Sequence, residues 1–135
     1  MKKLILLSII MLTGCATVNE AVDAFLMKYD NNEYKLITEI RTRASYGKDN
    51  CAYVEDSKKL AKELEYKSLF LKNYAEKLPH NKPVQESSVE LHDMVKGLSD
   101  MYDKGSVSPI FCKIKFTSIE ESATRIQQSE GNKPR

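Results

Sequence analysis

The sequence has few of the residues from which catalytic and metal sites are usually built. It contains two histidines and three cysteines, and no two of them have the CxxC or HxxxH spacing that brings metal ligands onto one face of a helix. Its five glycines stand singly, so no phosphate-binding loop is present, and the GxSxG motif of hydrolases is missing. These absences argue against an enzyme and predict neither a cofactor nor a metal site.

An excess of charge of one sign is also missing. The chain has 21 lysines and arginines against 19 aspartates and glutamates, and removal of Lys2 and Lys3 with a leader peptide would balance the two. A nucleic-acid-binding protein of this size usually shows a basic patch or stripe. The sequence therefore predicts no nucleic-acid partner.

Long apolar runs are absent except near the start of the chain. Residues 1–14 have the three-part layout of a secretory signal peptide, in which Lys2 and Lys3 precede an apolar segment and small residues end it. The apolar segment, residues 4–12, is far shorter than the roughly 20 residues that a membrane-spanning helix needs. We therefore expect residues 1–14 to be a cleaved leader.

The end of this leader, Leu12-Thr13-Gly14-Cys15, resembles the lipobox of bacterial lipoproteins. The resemblance covers only the leader, and it implies that the Cys15 thiol carries a diacylglyceryl group, that cleavage precedes Cys15, and that the new amine is usually acylated. Two or three acyl chains anchor a protein lastingly, since each buried methylene contributes about 0.8 kcal/mol. The alternative is a buried or disulfide-bonded Cys15 behind an ordinary first helix, but residues 1–14 offer no polar face to solvent.

The resemblance also bears on location. Ala16, rather than aspartate, follows the lipobox cysteine, and in lipoproteins this favours sorting to the outer membrane. The expected location is therefore the periplasmic face of the outer membrane, with the lipid anchor as the membrane contact; the inner membrane and the cell surface are the alternatives.

Acylation of Cys15 would leave two thiols, Cys51 and Cys112. In an oxidising exported compartment such a pair predicts one disulfide, and closing so long a loop would stabilise the fold by roughly 4 kcal/mol. The alternatives are two free core cysteines or a metal pair, which would need His80 or His92 as further ligands. We expect both histidines to be solvated or to lie at the edge of the core.

Apolar residues spaced by three and four predict four helices. The first runs between Val18 and Ile40, with a bend or frayed turn at residues 30–32, and Gly47 is suited to its C-cap. Asp49 or Asn50 is suited to the N-cap of the second helix. Residues 79–83 are predicted to form the loop before the third helix, which is predicted to end at Lys104-Gly105. The stripe of the second helix is Tyr53, Leu60, Leu64, Leu71, Tyr74 and Leu78, with Ala61, Ser68 and Ala75 beside it. The stripe of the third helix is Leu91, Val95, Leu98 and Tyr102. The stripe of the fourth helix is Cys112, Phe116, Ile119, Ala123 and Ile126.

The start of the fourth segment allows two interpretations. Ser108 before Pro109 is typical of a helix N-cap followed by a first-turn proline, which favours a helix. Alternatively, Cys112, Ile114 and Phe116 alternate as in a strand, with the helix starting afterwards. The helical interpretation accounts for more of the apolar positions.

Short loops make consecutive helices antiparallel, so the predicted fold is an all-α, up-down-up-down four-helix bundle. The domain is expected to span residues 15–130, behind the leader and before a frayed tail of residues 131–135. Helices two and four then run in the same direction, which places Cys51 and Cys112 at one end of the bundle. That end would be the one farthest from the lipid.

The second helix carries apolar residues off its predicted core face. Tyr66 and Leu69 are predicted to point outward, and Phe70 lies well away from the core side. Such a group often marks a contact surface, here for another envelope protein or a second copy of this chain. The alternatives are that a loop or the chain leading from Cys15 covers these residues, or that the helix is rotated.

These features favour a non-enzymatic envelope lipoprotein that acts by protein–protein interaction, as an accessory or structural component or as an exclusion-type factor. One alternative is a phage outer spanin-like lysis lipoprotein, although those tend to be short and proline-rich and this chain has four prolines. The other alternative is a bundle that binds a small ligand in its core. Carboxylate pairs such as Glu120-Glu121 are expected on solvated helix faces, and no buried carboxylate is predicted.

Overall fold

The computed structural model describes residue 22, residues 26–105 and residues 107–135. The predicted leader, Cys15 and the first part of the first predicted helix lie outside these residues. Four helices follow one another between residues 31 and 131: α1 (Asn31–Asp49), α2 (Val54–Lys77), α3 (Lys82–Lys104) and α4 (Pro109–Gly131).

Each helix packs on two neighbours. α1 lies against α4 and α2, and α3 lies against α2 and α4. Because short connections join consecutive helices, neighbours in sequence run antiparallel. The predicted all-α four-helix bundle is confirmed, and so is the disulfide between Cys51 and Cys112, whose Cα atoms are 5.8 Å apart.

The two ends of the bundle differ. At the disulfide end, α1 and α3 finish, α2 and α4 begin, and Cys51 and Cys112 are linked. At the opposite end, called here the tail end, α1 begins, the α2–α3 loop turns, and the C-terminal residues leave α4. The described chain therefore starts and finishes at the same end.

α1 begins at a well-formed cap. The Asp30 carboxylate accepts hydrogen bonds from the backbone N–H groups of Asn32 (2.9 Å) and Glu33 (2.8 Å), which satisfies two of the donors that a helix start leaves unpaired. Residues 30–32, predicted to bend a longer helix, instead mark the start of α1.

The other end of α1 differs from the prediction. Gly47 is buried inside the helix, which continues to Asp49, so the predicted cap at Gly47 is wrong. A Cβ atom at this position would lie 2.6 Å from Cε1 of Phe116. The glycine is required because the ring of Phe116 on α4 packs directly onto the α1 backbone.

The remaining helix ends follow the sequence signals in part. Neither Asp49 nor Asn50 caps α2, so that prediction is wrong. The N-cap of α2 is Tyr53, which makes no side-chain hydrogen bond.

α3 begins at Lys82, so Pro83 lies in its first turn rather than in a loop. Ser108 caps α4 by accepting from the Phe111 N–H at 3.3 Å, and α4 is helical throughout, which excludes the strand interpretation.

The core contains the predicted stripes of the last three helices, except for three residues of the α2 stripe. Tyr53 is 63% exposed, and Tyr74 and Leu78 lie half-buried at the edge. The buried apolar residues that fill the bundle are Ile37, Ile40, Ala44, Leu60, Ala61, Leu64, Leu71, Ala75, Val84, Leu91, Val95, Leu98, Tyr102, Phe116, Ile119, Ala123 and Ile126. None of the helices among the described residues is long and apolar enough to cross a membrane.

The C-terminal residues pack against the bundle, which differs from the frayed tail expected from the sequence. The Tyr29 N–H donates to the Pro134 carbonyl at 2.9 Å, the Arg135 guanidinium lies 5.1 Å from the centre of the Tyr29 ring, and Lys133 is buried. The tail is held because Lys133 reaches buried carboxylates, as described below.

Candidate functional site

The outer face of α2 carries the three residues that the sequence predicted to point outward. Tyr66 is 71%, Leu69 40% and Phe70 49% exposed. They are exposed because the buried positions of α2, such as Leu64 and Leu71, occupy the opposite side of a helix with 3.6 residues per turn. Leu69 and Phe70 follow Tyr66 by about one turn, and the three residues form a single surface, called here the α2 patch.

The α2 patch is held in place at its tail-end side. The ring of Phe70 stacks on that of Tyr74, with centroids 6.5 Å apart and planes 16° apart. The Tyr74 hydroxyl lies 3.1 Å from a carboxylate oxygen of Asp30, to which it donates, and Asn32 Nδ2 donates to the same hydroxyl at 3.4 Å. One aromatic residue of the patch is therefore connected, through Tyr74, to the cap of α1.

Ion pairs between α1 and α2 line one flank of the patch. Lys67 Nζ lies 2.8 Å from Glu39 Oε1, and Arg43 contacts both Glu39 (3.3 Å) and Glu63 (2.7 Å). These hydrogen bonds keep the pKa of Glu39 below its usual value, with that from Lys67 the largest cause. Arg43 and Glu63 also line an open surface groove of about 600 Å³ between the two helices.

The other flank faces α3, where Lys62 of α2 is paired with Asp103. An apolar, aromatic centre with a polar and paired rim is the usual composition of a protein–protein interface. The α2 patch has this composition.

A buried histidine lies beneath the patch. His92 on α3 is only 7% exposed, and its Nδ1 atom is 3.0 Å from the hydroxyl of Ser68 on α2. Burial, followed by the charge of Lys72, lowers the His92 pKa, which favours the neutral ring, and the contact with Ser68 links the two helices. The prediction of a solvated or edge histidine is wrong for His92, whereas His80 is exposed.

Residues 45–48, Ser45-Tyr46-Gly47-Lys48, have the SxxK spacing of some serine hydrolases. In the structure Lys48 Nζ donates to Glu120 Oε2 at 2.7 Å. This hydrogen bond is the main reason that the Lys48 pKa is raised. A lysine held protonated cannot act as the base that activates a serine, so these residues form a helix–helix contact.

The tail end contains a buried polar cluster that the sequence did not predict. It consists of Glu33, Asn81, Glu130 and Lys133, all buried, and is called here the tail cluster. Asn81 Nδ2 donates to Glu33 Oε1 (2.7 Å), and Lys133 Nζ donates to Asn81 Oδ1 (2.6 Å) and Glu33 Oε2 (3.2 Å). Lys133 is also ion-paired with Glu130.

Glu130 connects the tail cluster to the start of α1, since its Oε1 atom accepts from the backbone N–H of Asp30 at 2.6 Å. The cluster therefore joins α1, the α2–α3 loop, α4 and the C-terminal tail. Two carboxylates share one lysine, and the pKa of Glu33 rises from the ordinary 4.5 to about 7. Burial is the largest cause, and a hydrogen bond with Glu130 adds to it, while Lys133 and Asn81 act in the opposite direction.

The prediction that no carboxylate would be buried is therefore wrong. The spacing of the two glutamates from buried isoleucines could have predicted their burial. Glu33 precedes Ile37 and Ile40 by four and seven residues, and Glu130 follows Ile126 by four. Both glutamates thus lie on the core faces of their helices. Among the described residues, no group of three or more histidines, cysteines, aspartates and glutamates could hold a metal ion.

We compared the chain with protein-family models, curated proteins and solved structures, and none of these comparisons found a match.

Proposed function

We propose that this protein is an exported lipoprotein that binds another envelope protein through the α2 patch and carries out no catalysis. The observation that carries the proposal is the patch itself, with two exposed aromatic residues and a leucine inside a rim of ion pairs. Burial of each of these exposed side chains would contribute roughly 1.5–3 kcal/mol of stabilisation relative to its exposure to water. A partner that covers the α2 patch would provide this burial.

Export is supported by two independent features. The lipobox-like stretch ending at Cys15 provides a lipid anchor, and the disulfide between Cys51 and Cys112 is of the kind that forms in an oxidising compartment. The anchor precedes α1, so the tail end lies nearest the point of attachment. We place the protein at the periplasmic face of the outer membrane, as an accessory component or an exclusion-type factor.

The anchor is tested by labelling cells with palmitate. We expect label in the wild-type chain and none in Cys15→Ala, together with a mature protein that begins at residue 15. An unlabelled product that keeps its opening methionine would contradict the lipoprotein assignment.

The contact is tested by photo-crosslinking in intact cells. A photoreactive residue at position 69 should give one discrete crosslinked protein, which mass spectrometry identifies. The same residue at position 121, an exposed position on α4, serves as the control away from α2. Phe70→Asp should abolish the crosslink from position 69 while the purified variant keeps its helicity and melting temperature. Crosslinks of equal strength from both positions would show that the α2 patch has no specific partner.

Leu69→Asp provides a separate check on exposure. A charged residue at an exposed position changes the free energy of unfolding by about 0.5 kcal/mol or less. We therefore expect unchanged stability and a lost contact. A collapse of the fold would mean that Leu69 belongs to the core.

A further inference from the structure

A second apolar surface lies at the disulfide end, on the first two turns of α4. Ile110 is 77% and Ile114 57% exposed. They are one turn apart, and they point away from the side on which Cys112, Phe116 and Ile119 are buried. Nothing in the packing of the described helices covers them.

The charged residues nearest to these isoleucines along the chain are all lysines. From Lys104 to Ile119 the chain contains three lysines and no aspartate or glutamate. Lys104 and Lys113 are exposed, and Lys115 extends over the Phe111 ring, 5.3 Å from its centre. None of these lysines forms an ion pair with a described residue, whereas the nearby Asp103 is already paired with Lys62.

This composition differs from that of the α2 patch. Protein–protein interface cores are enriched in aromatic residues and depleted of lysine, as the α2 patch is. A face with exposed aliphatic side chains and unpaired lysines is instead typical of segments that lie in the interfacial region of a membrane, where lysines contact lipid phosphates and extend their alkyl chains along the apolar surface.

We propose that the first two turns of α4 and the end of α3 form a binding surface for anionic lipid. Ile110 and Ile114 insert among the acyl chains near the headgroups, and Lys104, Lys113 and Lys115 contact the phosphates. The surface lies on the disulfide end and shares no residue with the α2 patch, so the proposal goes beyond protein binding through α2.

The surface can reach the membrane that would hold the anchor. α4 has 23 residues, which gives it a length of about 35 Å at 1.5 Å per residue. α4 runs from the disulfide end to the tail end, and the chain from Cys15 joins the bundle at the tail end, where the Tyr29 N–H donates to the Pro134 carbonyl. When α4 lies along a bilayer, both ends of the bundle are at the membrane surface. One bilayer can therefore hold both the lipid anchor and the α4 surface.

The test is photo-crosslinking to lipid with the full mature chain reconstituted on vesicles. The variant Ile114→p-benzoylphenylalanine is compared with Leu69→p-benzoylphenylalanine, on vesicles of phosphatidylcholine alone and of equal parts phosphatidylcholine and phosphatidylglycerol. We expect lipid adducts from position 114, about tenfold more abundant on the anionic vesicles because three lysines contribute, and few from position 69. Replacing Lys104, Lys113 and Lys115 with glutamine should remove the difference between vesicles, as should high salt.

Three results would overturn the proposal. They are equal adducts from positions 114 and 69, adducts from position 114 that do not depend on phosphatidylglycerol, and a crosslinked dimer of this chain in place of lipid adducts. Circular dichroism of each variant, with a melting temperature equal to that of the wild type, shows that the bundle is intact. The lipid anchor binds every variant to both kinds of vesicle equally. If the anchor is absent, no variant binds phosphatidylcholine vesicles. If only the α4 surface fails to contact lipid, every variant still binds the vesicles and position 114 gives no lipid adducts.

Discussion

Lys133 donates a hydrogen bond to the carboxylate of Glu33 at 3.2 Å although 100 residues separate them in the chain, and both side chains are buried. The contact joins the first turn of α1 to the C-terminal tail. With Glu130 and Asn81 it closes the tail end, as the disulfide closes the other end. The bundle is therefore fastened at both ends by different chemistry, one polar and sensitive to pH, the other covalent and sensitive to reduction.

The tail cluster should make stability depend on pH. The folded pKa of Glu33, about 7, exceeds the ordinary 4.5, so the folded chain binds more protons than the unfolded chain between these values. The stability that protonated Glu33 contributes is complete below about pH 4.5 and is lost as pH rises through about 7, and it is on the order of 3 kcal/mol. Urea unfolding of the wild type and Glu33→Gln across this range measures it.

The variant is necessary because His92 acts with the opposite sign. Its folded pKa is lowered, so its contribution is present above its ordinary pKa and is lost as pH falls. The difference between wild type and Glu33→Gln isolates the glutamate, and it should favour the variant increasingly from about pH 5 to about pH 8. A difference that stays constant with pH would show that Glu33 does not titrate in this range.

Removal of the buried cation should be costly. Lys133→Met leaves Glu33 and Glu130 buried without their shared partner, and breaking a buried ion pair from one side typically costs about 3–5 kcal/mol. The matched control is Lys77→Met, which removes an exposed pair with Glu76 and should cost about 0.5 kcal/mol or less. Denaturant unfolding near neutral pH compares the two, and equal effects would contradict a structural role for the tail cluster.

Two glycines in helices should respond oppositely to alanine. Gly47→Ala places a methyl group 2.6 Å from the Phe116 ring, and overpacking of this kind costs about 1–3 kcal/mol. Gly97→Ala meets no atom within 4 Å and should stabilise α3 by up to about 1 kcal/mol, because alanine favours helix. Thermal melting tests both, and a stabilising Gly47→Ala would mean that α1 and α4 are farther apart than the structure shows.

Reduction of the disulfide should weaken the bundle strongly. Loss of the bond between Cys51 and Cys112, which are separated by 61 residues, should lower the free energy of unfolding by roughly 4 kcal/mol. The double variant Cys51→Ser/Cys112→Ser should behave like the reduced wild type in urea unfolding, and a reducing agent should leave the variant unchanged. If reduction has no effect on the wild type, the crosslink adds nothing to stability.

Much of the fold was readable from the sequence because it depends on local spacing. The stripes ending in Tyr102 and Ile126 predicted the buried faces of α3 and α4. Ser108 and Pro109 predicted the start of α4, and the helix directions agreed with the disulfide. The outward position of Tyr66 followed from the same geometry. Each of these inferences needs only the helical period and the chemistry of one turn.

The errors arose where distant segments meet. Gly47 has the chemistry of a helix cap, and only the position of Phe116, 69 residues later in the sequence, shows that it is a packing site. The helical spacing places Glu33 and Glu130 on the core faces of their helices. It does not predict that Lys133, in the C-terminal tail, folds back to form ion pairs with both. The exposure of Ile110 and Ile114 was not predicted, although both residues lie off the core stripe of α4.

The sequence by itself determined the helical period, the end of α3 and the start of α4, the pairing of Cys51 with Cys112 and the outward face of α2, because these follow from the geometry of single helices and from cysteine number. Only the tertiary structure decided the contact of Gly47 with Phe116, the buried tail cluster and the unpaired lysines of α4. The physical reason is that burial and pairing are properties of the space between helices. That space is defined only when segments far apart in the chain are brought together.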